Sequence, residues 1–152
     1  GSEMCIRDRC TYHCGFDDLT AALSLGSNSA DASRRVLTAA AILSARYGMV
    51  AATPVFVTPD IHMRERRAPL MPIPDYANAV AVIRMPRPPL AEADVSALVV
   101  ALKALEQELG RRREHKQFGL VNADIDVVTV GRSVLRPVDY VRPYFYPRML
   151  VL

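Results

Sequence analysis

Gly110-Arg111-Arg112-Arg113-Glu114-His115-Lys116-Gln117-Phe118-Gly119-Leu120-Val121-Asn122-Ala123-Asp124-Ile125-Asp126-Val127-Val128 carries the chain out of its strongest helical pattern and into a β-branched run. Upstream, Val95, Leu98, Leu102, Leu105 and Leu109 recur at helical spacing over residues 91–109, and Gly110 supplies the stop. Downstream, residues 124–130 read as a strand. Asp124 and Asp126 sit two apart at its start, so on a strand both side chains leave the same face. Two carboxylates on one face, with Arg111, Arg112, Arg113 and Lys116 just upstream, can gather divalent cations and polyphosphate. A solvated strand end behind a charged loop has the same sequence, and for a lone D-x-D it is the commoner outcome. The rest of the chain decides between them.

Working backwards, residues 76–85 form a third strand, with Val80 and Val82 on one face and Ala79, Ala81 and Ile83 on the other; Pro86-Arg87-Pro88-Pro89 stops it. A long connection precedes it, holding Arg64, Glu65, Arg66 and Arg67 among Pro69, Pro72 and Pro74. Loops of that length in compact domains are commonly functional lids or disordered segments, and the basic triplet could reach an anionic substrate or simply be solvated. Residues 49–57 read as a second strand interrupted by Pro54, which marks an edge or a bulge. Val36, Ala40, Leu43 and Tyr47 predict a helix over 32–47, closed by Gly48. Residues 20–25 form a short buried strand, left through Gly26-Ser27-Asn28, where Ser or Asn can cap the helix or meet a ligand. Beyond the fourth strand, Gly131-Arg132 turns the chain into an extended piece near Val134-Leu135, and from Pro137 it reads as irregular.

The order is β-α-β-β-α-β, two split halves. It predicts an α+β, ferredoxin-like domain with an antiparallel sheet and both helices on one face. That architecture by itself licenses no function.

Composition narrows the classes. The chain has 152 residues, 51% hydrophobic and 23% charged, which fits a globular domain and not a disordered one. No apolar run is long enough to span a bilayer. A net charge of +3 suits an anionic small molecule, and no basic-and-aromatic interleaving points to nucleic acid. All three cysteines fall in the first 14 residues, where Cys5, Cys10, His13 and Cys14 would invite a zinc site. That string, from Gly1 to Arg9, instead looks like a translated transposase sequencing adapter joined to an open reading frame, and residues 1–19 are expected to be a non-native tail. Setting them aside turns 19 basic and 16 acidic residues into 17 and 12, a cysteine-free body of net +5 over residues 20–152. Such a body, without a signal peptide, is expected in the cytoplasm. His62 and His115 are isolated and are assigned no role.

The motifs, taken in order, are more specific than any one of them. Gly26-Ser27-Asn28, Thr58-Pro59, Asp75-Tyr76-x-Asn78, Glu106, Gly110-Arg111-x-Arg113, Phe118-Gly119 and Asp124-x-Asp126 together resemble the 6-hydroxymethyl-7,8-dihydropterin pyrophosphokinase family over residues 20–152. The resemblance implies Mg²⁺-dependent transfer of a diphosphate from ATP to a pterin alcohol with release of AMP, in folate biosynthesis. It implies that Asp124 and Asp126 ligate two Mg²⁺ ions, and that Arg111 and Arg113 act from a mobile basic loop. Glu106, Arg111 and Tyr140 would bind nucleotide. Thr58, Pro59, Tyr76, Asn78 and Phe118 would form the pterin pocket. Partners would be the pterin and ATP, with no nucleic acid or membrane, and the chain would act as a monomer.

The departures are equally definite. Where the family has Arg-Trp-Gly-Pro-Arg, this chain has Gln117-Phe118-Gly119-Leu120-Val121, so two cations are absent. The family's His-Tyr pair aligns with Asp139-Tyr140, and its later Arg and Phe fall at Phe145 and Pro147, with Arg142 and Arg148 nearby as substitutes. The chain also stops short of the family's usual end, as a truncated or naturally short member would. These changes leave a second reading, a non-catalytic ferredoxin-like paralogue that binds a pterin or a nucleotide.

Overall fold

The computed structural model describes residues 20–58, 75–85, 92–118, 120–131, 133–142 and 145, with only the backbone described for Lys116, Gln117 and Phe118. The cysteine-bearing tail, Pro59, the loop carrying Arg64, Arg66 and Arg67, Pro147 and Arg148 lie outside the described residues. The elements run β1 (Thr20–Ser27), α1 (Ala32–Tyr47), β2 (Met49–Ala52), β3 (Phe56–Thr58), β4 (Tyr76–Arg84), α2 (Glu92–Glu108), β5 (Asp124–Val130), β6 (Ser133–Val134) and α3 (Pro137–Tyr140), with a 3₁₀ turn at Arg113–Phe118. The sheet order is β2-β4-β1-β5-β6, with β3 pairing β4, and every pairing is antiparallel. This is the expected α+β arrangement, with α1 and α2 packed on the sheet.

Alternation along the strands divides the sheet into two unlike faces. Ala21, Leu23 and Leu25 of β1, Ala77, Ala79, Ala81 and Ile83 of β4, and Ile125 and Val127 of β5 meet Val36, Ala39 and Leu43 of α1 and Leu98, Leu102 and Leu105 of α2. On the opposite face, Ala22, Val80, Val82 and Val128 form a smaller apolar patch covered by Tyr140 and Phe145. The chain beyond Pro137 is therefore not irregular throughout: Pro137 opens the short helix α3, which turns Tyr140 inward onto the sheet. Its Pro sits where a missing N–H costs nothing.

The expected strand over 49–57 is two strands, β2 and β3, on the same edge of β4. Pro54 cannot donate to the ladder, and Thr53 repairs the break. Its N–H donates to the Val80 carbonyl at 2.9 Å, and its hydroxyl accepts the Val80 N–H at 2.9 Å. The turn after β1 also differs from expectation. Neither Ser27 nor Asn28 caps α1; Asp31 does so in a left-handed conformation (φ 58°) without a side-chain bond. Ser27 and Asn28 instead reach across to residue 121. The Asn28 carboxamide oxygen accepts the Val121 N–H at 2.6 Å, and the Asn28 N–H donates to the Val121 carbonyl at 3.0 Å. The turn thereby fixes the approach of the chain to β5.

Candidate active site

Helix α2 ends in a Schellman motif. The Arg111 N–H donates to the Glu106 carbonyl and the Gly110 N–H to the Gln107 carbonyl, each at 3.0 Å, with Gly110 at φ +98°. A Cβ there would also lie 2.8 Å from Asn122 Nδ2, which donates to the Gly110 carbonyl. Glycine is needed on both counts. The motif turns Arg111 back across the last turn of α2, so its guanidinium lies 3.1 Å from Glu106 Oε2 and donates to Asp124 Oδ1 at 2.8 Å.

Among the described residues, β6 pairs with Thr129 and Val130, and no described strand flanks the start of β5 on that side. Side chains of α2 cover it. Glu106 accepts the Ile125 N–H at 2.7 Å, and the Lys103 ammonium donates to the Ile125 carbonyl at 3.3 Å. Glu106 is only 3% exposed, so its charge needs partners, and Lys103 at 2.8 Å joins Arg111 in supplying them. Lys103 also reaches Asp126 Oδ1 at 3.2 Å, and Arg136 lies 3.6 Å from the same oxygen. Arg136 and Arg142 both pair with Asp139. Asp124, Arg111, Glu106, Lys103, Asp126, Arg136, Asp139 and Arg142 thus form one chain of alternating charge.

The register explains why the two aspartates share a face with residues far away in sequence. Phe56 pairs with Asn78, Asn78 with Gly26, and Gly26 with Asp124, so one row crosses β3, β4, β1 and β5. Directly paired residues project to the same side. Asn78 and Asp124 therefore stand on the face opposite the helices, roughly 10 Å apart at the backbone, given two strand spacings. Thr58 and Tyr76 pair beside them, and Asn78 Nδ2 donates to the Thr58 hydroxyl at 2.6 Å. Gly26 lets these groups close on the sheet: a Cβ there would meet Asn78 Oδ1 at 3.2 Å and the Tyr76 ring at 3.6 Å.

Asp126 sits under opposing influences. Burial pushes its carboxyl above the usual range, and the neighbouring Asp124 adds to this, while Lys103 and Arg136 oppose it. Burial works to lower the Lys103 ammonium, but its hydrogen bond to Glu106 and the charges of Asp126, Glu106 and Asp124 outweigh that and hold it above its ordinary value. Among the described residues no group of three or more potential ligand side chains converges on a point. The carboxylate pair suits a hard divalent cation that takes one or two protein carboxylates and completes its shell with water and phosphate oxygens. Such a cation would also relieve the repulsion within the pair.

Matched against known families, residues 22–151 fit the profile of 7,8-dihydro-6-hydroxymethylpterin-pyrophosphokinase (HPPK). The chain belongs to the HPPK family. HPPK enzymes are ATP-dependent pyrophosphokinases that use Mg²⁺. No curated protein matches the chain. Among the described residues no helix is long and apolar enough to cross a membrane.

The structure brings together Asp124, Asp126, Arg111 and Glu106, and separately Thr58, Tyr76 and Asn78. Arg113 stands exposed on the 3₁₀ turn, outside the charge network of the described residues, and Arg112 instead donates to the Gln107 and Arg111 carbonyls. Tyr140, aligned with an HPPK nucleotide residue, is fully buried beside Phe145 with ring centroids 6.1 Å apart. In this fold it is a core aromatic. Arg142 is engaged with Asp139 at 3.3 Å. Sequence reasoning missed Lys103 and Arg136. Lys103 carried one signal, its position three residues before Glu106 on α2. Arg136 becomes visible only through the β5–β6 hairpin register.

Proposed function

We propose that this chain transfers a diphosphate from ATP to 6-hydroxymethyl-7,8-dihydropterin, releasing AMP, as a cytoplasmic enzyme of folate biosynthesis. The observation that carries the reading is the single row Asn78–Gly26–Asp124, which sets the pterin-type groups and the carboxylate pair on one face of the sheet. Family membership supports the reaction class.

Asp124 and Asp126 would hold the Mg²⁺ ions, which when bound neutralise phosphate charge as it is redistributed in the transfer. Arg111, braced by Glu106, offers a fixed cation beside Asp124 for the nucleotide phosphates. Thr58 and Asn78 present a hydroxyl and an amide with which to read the edge of the heterocycle, and Tyr76 supplies an adjoining ring. Pro59 and Phe118 are assigned to the same pocket by the family pattern, and Arg113 to the loop above the nucleotide. In the reaction the pterin alcohol oxygen bonds to the β-phosphorus while the bond from that phosphorus to the α,β-bridging oxygen breaks. AMP leaves with the bridging oxygen, and the alcohol proton passes to water. No side chain is required as a general base; positioning and charge supply the rate.

The second reading, a binding module without turnover, draws on the absence of cations at Gln117 and Val121. AMP release from ATP, Mg²⁺ and the pterin separates the two. The enzyme reading expects release by the wild type and loss in Asp124→Ala. Pterin binding without AMP above background would leave only the module.

A further inference from the structure

We propose that Arg136 is a polyphosphate-binding cation of this site, taking over from the basic side chains absent at Gln117 and Val121, and that Asp139 aims it. The inference rests on the pyrophosphokinase reading and concerns how this chain meets the charge of its nucleotide.

The backbone places Arg136 first. Its N–H donates to the Val128 carbonyl at 3.3 Å, an acceptor shared with Leu135 at 2.8 Å, so it lies alongside β5 close to Asp126. The side chain is then held at one end. Its Nε donates to Asp139 on α3, while its Nη1 lies 3.6 Å from Asp126 Oδ1, within charge range but beyond a direct hydrogen bond. Half of the side chain remains exposed. A guanidinium carries five N–H donors in a rigid fork, and anchoring through Nε leaves its remaining edge to meet phosphate oxygens. Arg111 stands beside Asp124 and Arg136 beside Asp126. A polyphosphate lying over the carboxylate pair would be gripped by both.

The same geometry changes the meaning of an acid at position 139. Asp139 faces two arginines, Arg136 and Arg142, so the triplet carries a net single positive charge. The anion orients two cations here, and their charge more than offsets its own.

The test compares Mg²⁺ with α,β-methylene-ATP, which cannot be cleaved at the reacting bond, against AMP, by calorimetric titration of the whole chain. In Arg136→Gln the analogue is expected to bind about tenfold more weakly or worse, as loss of a charge-assisted hydrogen bond predicts, with AMP and pterin binding unchanged. Asp139→Asn should reproduce much of that loss with Arg136 still present. Arg136→Lys, which keeps the charge but not the fork, should fall between wild type and Arg136→Gln, and it serves if the glutamine variant does not fold. Equal weakening of analogue and AMP, or no weakening in either arginine variant, would overturn the proposal while leaving the pyrophosphokinase reading intact. A wild type that binds pterin but no analogue would overturn both.

Discussion

The two faces of this sheet are cut from the same strands by alternating residues, yet they do different work. The face under α1 and α2 is predominantly apolar and closes on Leu23, Leu25, Leu43, Leu102, Leu105 and Ile125. The opposite face has its buried apolar cluster where Tyr140 and Phe145 lie on it, and its other end carries Asn78, Gly26, Asp124 and Asp126. The difference teaches where stability and chemistry have been separated. The helices pack on one face, and the other keeps two carboxylates close together, where burial first and the neighbouring Asp124 second push the Asp126 carboxyl up.

If that division is real, substitutions on the two faces should fail in different assays. Asp124→Ala should lower AMP formation by about a thousandfold or more, the scale on which lost electrostatic stabilisation of phosphoryl transfer acts, without lowering the melting temperature. Leu102→Ala should do the reverse. Denaturant unfolding should show a loss of about 2–5 kcal/mol, while the fraction that stays folded keeps its substrate affinities. Glu106→Ala blurs the division, because Glu106 belongs to both an edge cap and the charge network. It should cost about 3 kcal/mol by leaving the Ile125 N–H unpaired and taking one carboxylate from each of Lys103 and Arg111, and it should also weaken nucleotide binding. The smallest effect is in the pH dependence of the metal-free protein. The folded-state pKa of Asp126 is above its unfolded value, so the folded state holds the proton more tightly. Its contribution to stability is full below the ordinary carboxylate range and is lost as pH rises through the raised pKa. Thermal melts in EDTA should therefore show that decline in the wild type and a shallower one in Asp126→Asn.

The same division governs what is legible in the sequence. Helix α1 was legible to its ends, because Val36, Leu43 and Gly48 obey a local period and a local stop. The Asp124–Asp126 pair was legible as sharing a face, because strand alternation is local too. The end of α2 at Gly110 was legible as a stop, but not as the device that swings Arg111 onto Glu106 and Asp124. What stayed hidden depends on register between distant strands. Gly26 looked like a turn glycine, whereas it lies within β1 between Asn78 and Asp124. Lys103 reaches the Ile125 carbonyl and Asp126 only because α2 packs alongside β5, a contact that no local pattern in the sequence announces. Tyr140 carried a family expectation of ligand contact, and its packing on the second core depends on α3, which no local pattern announces. Asp139 looked like an anion in the wrong place because the family has a histidine there, and only the fold shows that Arg136 and Arg142 both pair with it.

The central claim is that the polar end of the second face holds divalent cations together with polyphosphate. Mn²⁺ in place of Mg²⁺ makes this visible by electron paramagnetic resonance, through loss of the free-ion signal when protein and α,β-methylene-ATP are present together. The account predicts that the wild type captures Mn²⁺ beyond what the analogue alone retains, and that Asp124→Ala with Asp126→Ala abolishes the excess while the fold survives. Equal capture by the wild type and the double variant would contradict it.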